Sequence, residues 1–281
     1  MKFGKIVKAV AVSLVVGALA LSSIGAQTGK TLVFGFAPGP YSDLFKLAVK
    51  PTLEKQGYKI QITEFTDWVQ PDVALGNGSI DANLFQHSLY LAQFAKDHNL
   101  KLSPVIDVPT AGLGIYSNKI KKIADLKKGD VLALPNDATN LARSLRFLAS
   151  LKLLTFKKDI SPTTASEKDI DQNPLGLVIR PLDAAQLPRS LDSVTVAVIS
   201  GNYAIDAGLK LSEALELEIL DESIKNVFAV RTEDLDKQWV KDLAAAVQSD
   251  YFATIATDPN QIFSAFQKPQ WLIDKLKSAK K

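Results

Sequence analysis

Short runs of β-branched and aromatic residues alternate along this chain with longer stretches whose apolar positions recur at helical spacing. Thr31 to Phe36 reads as a strand and Ala37-Pro38-Gly39-Pro40 as a loop. Asp43 to Gln56 follows as an amphipathic helix closed by Gly57. Tyr58 to Phe65 is a second strand, and Pro71 to Asn77 a helix stopped by Gly76 and Gly78. Ile80 to Phe85 is then a strand and Leu89 to His98 a helix. This βαβα rhythm predicts an open, largely parallel sheet flanked by helices.

A second α/β set follows. Gly112 to Ser117, Val131 to Leu134 and Val194 to Ser200 read as strands, with helices near Asn140 to Leu151, Ala184 to Leu191 and Tyr203 to Leu209. Asn226 to Arg231 is a further strand. Gln238 to Thr254 and Pro259 to Phe266 read as terminal helices returning to the first set, ahead of a basic, solvated tail from Lys275 to Lys281. Segment 155–176 is polar and prolyl and reads as a mobile surface excursion. The order fits two α/β lobes with a cleft between them better than one continuous sheet. Residues 27–108 and 229–281 form lobe 1, and residues 109–228 form lobe 2. The chain is expected to cross between them near Asp107 to Thr110 and near Ser223 to Val227.

Composition changes the picture mainly through the first 26 residues. Lys2, Lys5 and Lys8 precede an apolar run from Ala9 to Leu21, and the small residues Ser22 to Ala26 close it. This is the pattern of a secretory signal peptide cleaved after Gly25 or Ala26. Its apolar run is too short to span a bilayer comfortably. The whole sequence has 33 basic and 30 acidic residues, and the segment accounts for the excess. A near-neutral remainder gives no argument for nucleic-acid or membrane-surface binding. There is no cysteine, hence no disulfide framework and no lipid-attachment residue at the signal exit. A soluble periplasmic or secreted protein is expected. The sole methionine is Met1, so the mature chain would contain no sulfur. Compositional drift and sulfur economy account for that equally well.

Candidate chemistry concentrates at the predicted strand ends, where open α/β sheets bind ligands. Trp68, Phe85, His87 and Tyr90 lie where strands give way to helices, between Phe65 and Tyr90. In the segment Val131 to Arg143, a strand ends at Pro135 and Asp137 or Thr139 can cap the next helix. Asn140 and Arg143, three apart, share the first-turn face. The helix dipole and a planar guanidinium both favour a carboxylate there. Ser200-Gly201-Asn202-Tyr203 repeats the logic more weakly, and Asn226 stands at a strand start near the crossing. No Gly-x-x-x-x-Gly-Lys, His-Glu-x-x-His or Gly-x-Ser-x-Gly pattern occurs. With His87 and His98 as the only histidines, no metal, cofactor or catalytic residue is expected.

With these segments in view, the chain resembles the NlpA/MetQ family of substrate-binding proteins for methionine-uptake ABC transporters. The blocks that carry the resemblance are Phe65-Thr-Asp-Trp-Val-Gln-Pro, Asp81-Ala-Asn-Leu-Phe-Gln-His, Gly114-Ile-Tyr-Ser, Pro135-Asn-Asp-Ala-Thr-Asn, Ala184-Ala-Gln-Leu-Pro-Arg and Gly201-Asn-Tyr-Ala. The resemblance implies a two-lobed type II periplasmic-binding-protein fold that closes on an amino acid. It implies that Arg143 and Asn140 hold the α-carboxylate, and that Asn202 and Asn226 serve the amino and carboxylate groups. Phe85, His87, Tyr90 and Trp68 would enclose a thioether side chain, which aromatic ring edges suit. The implied partners are an ABC permease and its ATPase, with the binding protein a monomer and not an enzyme.

Departures bear on side-chain specificity. Trp68 stands where the family usually has tyrosine, Leu89 where it has proline, and Ala142 where it has glycine. Gly112-Leu113-Gly114 replaces Pro-Met-Gly, and the lipid-bearing cysteine is missing. The rival readings are an organosulfur binder with Arg143 on sulfur-bound oxygens, an enzyme on the same fold, and a surface interaction protein.

Overall fold

A computed structural model describes residues 29–161 and 163–279. The expected signal peptide and the end of the basic tail lie outside the described residues. Alternation in β1 (Thr31–Phe36) buries Leu32, Phe34 and Phe36 completely. β1 pairs in parallel with β2 (Lys59–Glu64) and β3 (Ala82–His87), and β4 (Leu102–Asp107) lies at the far edge. The chain then builds a second sheet from β5 (Leu113–Tyr116) and β6 (Val131–Pro135). β7 (Thr155–Phe156) and β8 (Ile170–Gln172) form a small antiparallel pair within the segment expected as an irregular excursion. β9 (Val178–Leu182), β10 (Val196–Ser200) and β11 (Glu216–Leu217) complete the second sheet. β12 (Asn226–Arg231) returns to the first.

The strand orders are β2-β1-β3-β12-β4 and β11-β5-β10-β6-β9. Neither sheet is as parallel as the alternation suggested. In the first, β12 runs antiparallel to β3 and β4; in the second, β5 runs antiparallel to β10 and β11. The reason is the cleft. β3, β6 and β10 end at it, whereas β5 and β12 arrive from the opposite lobe and therefore begin at it.

The helices are α1 (Tyr41–Ala48), α2 (Lys50–Lys55), α3 (Gln70–Gly76), α4 (Ser88–Asp97), α5 (Ala138–Ser150), α6 (Leu187–Ser190), α7 (Gly201–Asp206), α8 (Gln238–Val247), α9 (Asp250–Thr257) and α10 (Gln270–Ser278). Three differ from the sequence reading for local reasons. The helix expected over Asp43 to Gln56 breaks at Val49, because Pro51 can occupy a helix's first turn but not its interior. The helix expected over Gln238 to Thr254 breaks at Ser249, whose Oγ accepts from Phe252 N at 3.0 Å and starts α9. Pro259 to Phe266 holds only a 3₁₀ turn, Ile262–Ala265, and the last helix starts after Pro269. That helix includes Lys275, which pairs with Asp250 rather than trailing free.

The first core gathers Leu32, Phe34, Phe36, Phe45 and Phe228 with Trp239 and Phe252 of the C-terminal helices. The Phe34 and Phe45 rings lie 4.3 Å apart. The second lobe packs Leu113, Ile115, Leu132, Leu145, Leu148, Val196 and Val198. The two crossings run side by side: Val108 N donates to Asn226 O at 2.8 Å, and Asn226 N to Thr110 Oγ1 at 2.8 Å. Gln267 pairs with Thr110 across the same junction.

Candidate functional site

β3 delivers Phe85 and His87 to the cleft, and His87 is the N-cap of α4: its Nδ1 accepts from Tyr90 N at 3.1 Å. That bond leaves the proton of a neutral ring on Nε2, which donates across the cleft to Asn140 Oδ1 at 3.2 Å. Burial, and then the charge of Arg143, push the His87 pKa down to about 3, so the ring stays neutral. Asn140 is fixed in turn. Its amide Nδ2 donates to Asp137 at 3.1 Å, and Asp137 also caps α5 by accepting from Asn140 N at 3.0 Å. Burial raises the Asp137 pKa.

One turn further along α5, Arg143 is buried, and its fork is already occupied. Nε donates to Glu218 Oε1 at 2.9 Å and Nη2 to Glu218 Oε2 at 2.6 Å, in an ion pair whose side chains are 8% and 9% exposed. Nη1 lies 3.5 Å from Asn140 Oδ1. The sequence had offered the whole fork to a ligand carboxylate; the structure leaves the Nη1 end.

The other two asparagines reach across the cleft or sit at its hinge. Asn202, on α7, donates Nδ2 to Pro38 O at 3.0 Å. Asn226, at the start of β12, donates Nδ2 to Phe85 O at 2.9 Å. With each amide nitrogen held by a carbonyl, each Oδ1 is left as an acceptor. Close backbone approach makes this possible. A Cβ on Gly201 would lie 2.5 Å from Ala111 Cβ, and Gly39 takes φ +122° directly over Asn202.

Opposite these groups stands an aromatic wall. Tyr90 meets Phe85 and Trp68 edge to face, both with ring centroids 6.1 Å apart. Burial raises the Tyr90 pKa, so its hydroxyl keeps its proton. Trp68 lies tilted over Tyr203 of the second lobe at 5.0 Å, bridging the cleft, and its Nε1 is buried without a partner.

All eight residues singled out from the sequence line one cavity enclosing about 350 Å³, its mouth included. Gln86, Ala111 and Ser200 also line it and were missed, although Ser200 directly precedes Gly201 and Asn202 as the N-cap of α7. Glu218 was missed as well. Its register, Glu216-Leu217-Glu218 along a short edge strand, reads as two solvent-facing acids. No group of three or more His, Cys, Asp or Glu able to hold a metal occurs among the described residues.

Residues 32–271 match the model of the NlpA lipoprotein family. The D-methionine-binding lipoprotein MetQ of Salmonella typhi is 36% identical over 268 residues, which cover 93% of this chain and 97% of that one. Among solved structures, a nutrient-binding protein from Burkholderia cenocepacia bound to methionine is 38% identical with a TM-score of 0.77, covering 81% of this chain and 95% of that one. Lipoprotein Tp32 of Treponema pallidum is 30% identical with a TM-score of 0.79, covering 85% and 99%. With the family model matching over nearly all of the described chain, and two lobes meeting at a lined cleft, this protein belongs to the NlpA lipoprotein family.

Proposed function

We propose that the protein captures a zwitterionic amino acid, methionine or a close derivative, between its lobes and delivers it to an ABC permease and its ATPase. The observation that carries this reading is the division of one cavity into two halves. Arg143, Asn140, Asn202 and Asn226 supply donors and acceptors for a carboxylate and an ammonium. Phe85, Tyr90 and Trp68 supply an apolar, polarizable wall suited to a thioether. The ligand would sit between lobe 1, residues 27–108 and 229–281, and lobe 2, residues 109–228. The cross-cleft bonds His87–Asn140 and Asn202–Pro38 would hold the closed form.

The protein acts as a monomeric carrier and performs no chemistry on its cargo. Its relatives are named lipoproteins, but this sequence has no cysteine to carry a lipid. No helix among the described residues is long and apolar enough to cross a membrane. The signal pattern of the first 26 residues would direct export, and without a cysteine the carrier would hold no lipid anchor.

The test is thermal unfolding of protein first unfolded and refolded to strip bound ligand. The panel contains L- and D-methionine, methionine peptides, taurine and branched amino acids. A ligand at a hundredfold excess over its Kd should stabilise by about 2.7 kcal/mol. A response to methionine or a close analogue supports the reading, and no response to any amino acid refutes it.

A further inference from the structure

We propose that Glu218 is a positioning residue for the carboxylate anchor: it holds Arg143 by its Nε–Nη2 edge and balances its charge, so that the cleft favours net-neutral zwitterions over net anions. The inference rests on the amino-acid reading above and adds to it a basis for ligand selection.

The geometry leaves Glu218 little freedom. Its Oε2 accepts from both Arg143 Nη2, at 2.6 Å, and Leu113 N, at 3.0 Å, while Oε1 takes Arg143 Nε at 2.9 Å. The backbone is equally tied. Glu218 N donates to Leu113 O at 2.9 Å, and Glu218 O accepts from Gln267 Nε2 at 2.7 Å. Gln267 is the residue that pairs with Thr110 at the lobe crossing. The guanidinium is thus aimed from the hinge, through a carboxylate that never touches the ligand.

Glu218 does not line the ligand cavity. It lines a second, open cavity of about 1270 Å³, its mouth included, on the far side of Arg143, together with Arg146 and Asp221. Arg143 lines both, so the ion pair is the partition between them. Among the described residues lining the ligand cavity, Arg143 carries the only charged side chain, His87 being neutral. Its charge is matched behind the wall. A zwitterion then enters a site with no net charge, its ammonium meeting the Asn202 and Asn226 amide oxygens. A ligand with a carboxylate and no ammonium would leave a net negative charge in a desolvated cleft, which is costly.

The probes are L-methionine and 4-(methylthio)butanoate, which lacks the ammonium and is no larger. Calorimetric Kd values for both are compared in stripped wild-type protein, Glu218→Gln and Glu218→Asp, with ligand-free melting recorded alongside. Removing the charge in Glu218→Gln is expected to weaken methionine binding and to shift the affinity ratio toward the butanoate by about tenfold or more. Glu218→Asp keeps the charge with shorter reach. It is expected to weaken both ligands about tenfold while leaving their ratio at the wild-type value. An unchanged ratio in Glu218→Gln overturns the charge-balancing role, and unchanged affinities in Glu218→Asp overturn the positioning role. Wild-type protein that binds neither L- nor D-methionine overturns the amino-acid reading itself, an outcome distinct from both.

Discussion

Removing the Arg143 guanidinium should damage stability and binding separately, and a double variant should tell them apart. Both partners of the Arg143–Glu218 pair are less than a tenth exposed. Both also lie on the second-lobe side, in α5 and just after β11, so the pair does not itself span the cleft. In Arg143→Ala the carboxylate of Glu218 keeps one bond, from Leu113 N, and loses three donor contacts. Leaving a buried charge without its partner costs about 3–5 kcal/mol. At roughly 2–4 °C per kcal/mol for a chain of this size, ligand-free melting should fall by on the order of 6–20 °C.

Ligand binding loses a hydrogen bond to a charged group, about 1.5–3 kcal/mol. That is about 10- to 150-fold in Kd. In Arg143→Ala/Glu218→Ala the stranded carboxylate is gone. The melting temperature should recover most of the loss while methionine affinity stays as low as in the single variant. Differential scanning fluorimetry and calorimetric titration on stripped protein read the two quantities, and the double-mutant cycle gives the coupling. Additive melting losses, or affinity restored in the double variant, would refute the reasoning.

Three further outcomes follow from other parts of the molecule. Asp72 is buried against Asn83 and Gln86, and burial lifts its pKa from 3.8 to about 7. Its native pKa lies above the unfolded one, so its contribution is fully present below about pH 4 and is lost as pH rises through about 7. Asp72→Asn should flatten that decline in denaturant titrations between pH 4 and 8, and a slope equal to wild type would count against it. Gly201→Ala places a methyl 2.5 Å from Ala111 Cβ and 2.8 Å from Gly112 O, so it should cost about 1–3 kcal/mol in urea unfolding; parental stability would contradict the close approach. Trp68→Tyr shrinks the ring that bridges to Tyr203 and should reorder affinities among side chains more than it weakens amino acids as a class. Equal weakening of every ligand would mark Trp68 as structural.

Most of the fold was legible because it depends on local pattern. β1 and β12 fall where alternation placed them, and α4 and α5 within two residues of expectation. What sequence pattern missed were interruptions set by single residues and strands with little apolar signal. β4, with Pro104, and β9, with Pro181, are edge strands, where a missing N–H is tolerated. The parallel count failed for a reason no local window contains, because the direction of β5 and β12 follows from the side of the cleft on which each begins.

The site divides along the same line. Trp68, His87, Asn140 and Asn202 stand at strand or helix ends, and that position alone recommends them. Glu218 has no such mark: it follows a two-residue strand, 75 positions after Arg143, and its partner is fixed only when β5 and α5 pack together. The same event decides what Arg143 can do. An arginine near a helix start, read alone, is an open fork for an anion. Once half of that fork is closed by an internal carboxylate, it becomes one corner of a neutral cleft. The side chain that selects the ligand's charge class is therefore one the ligand does not touch.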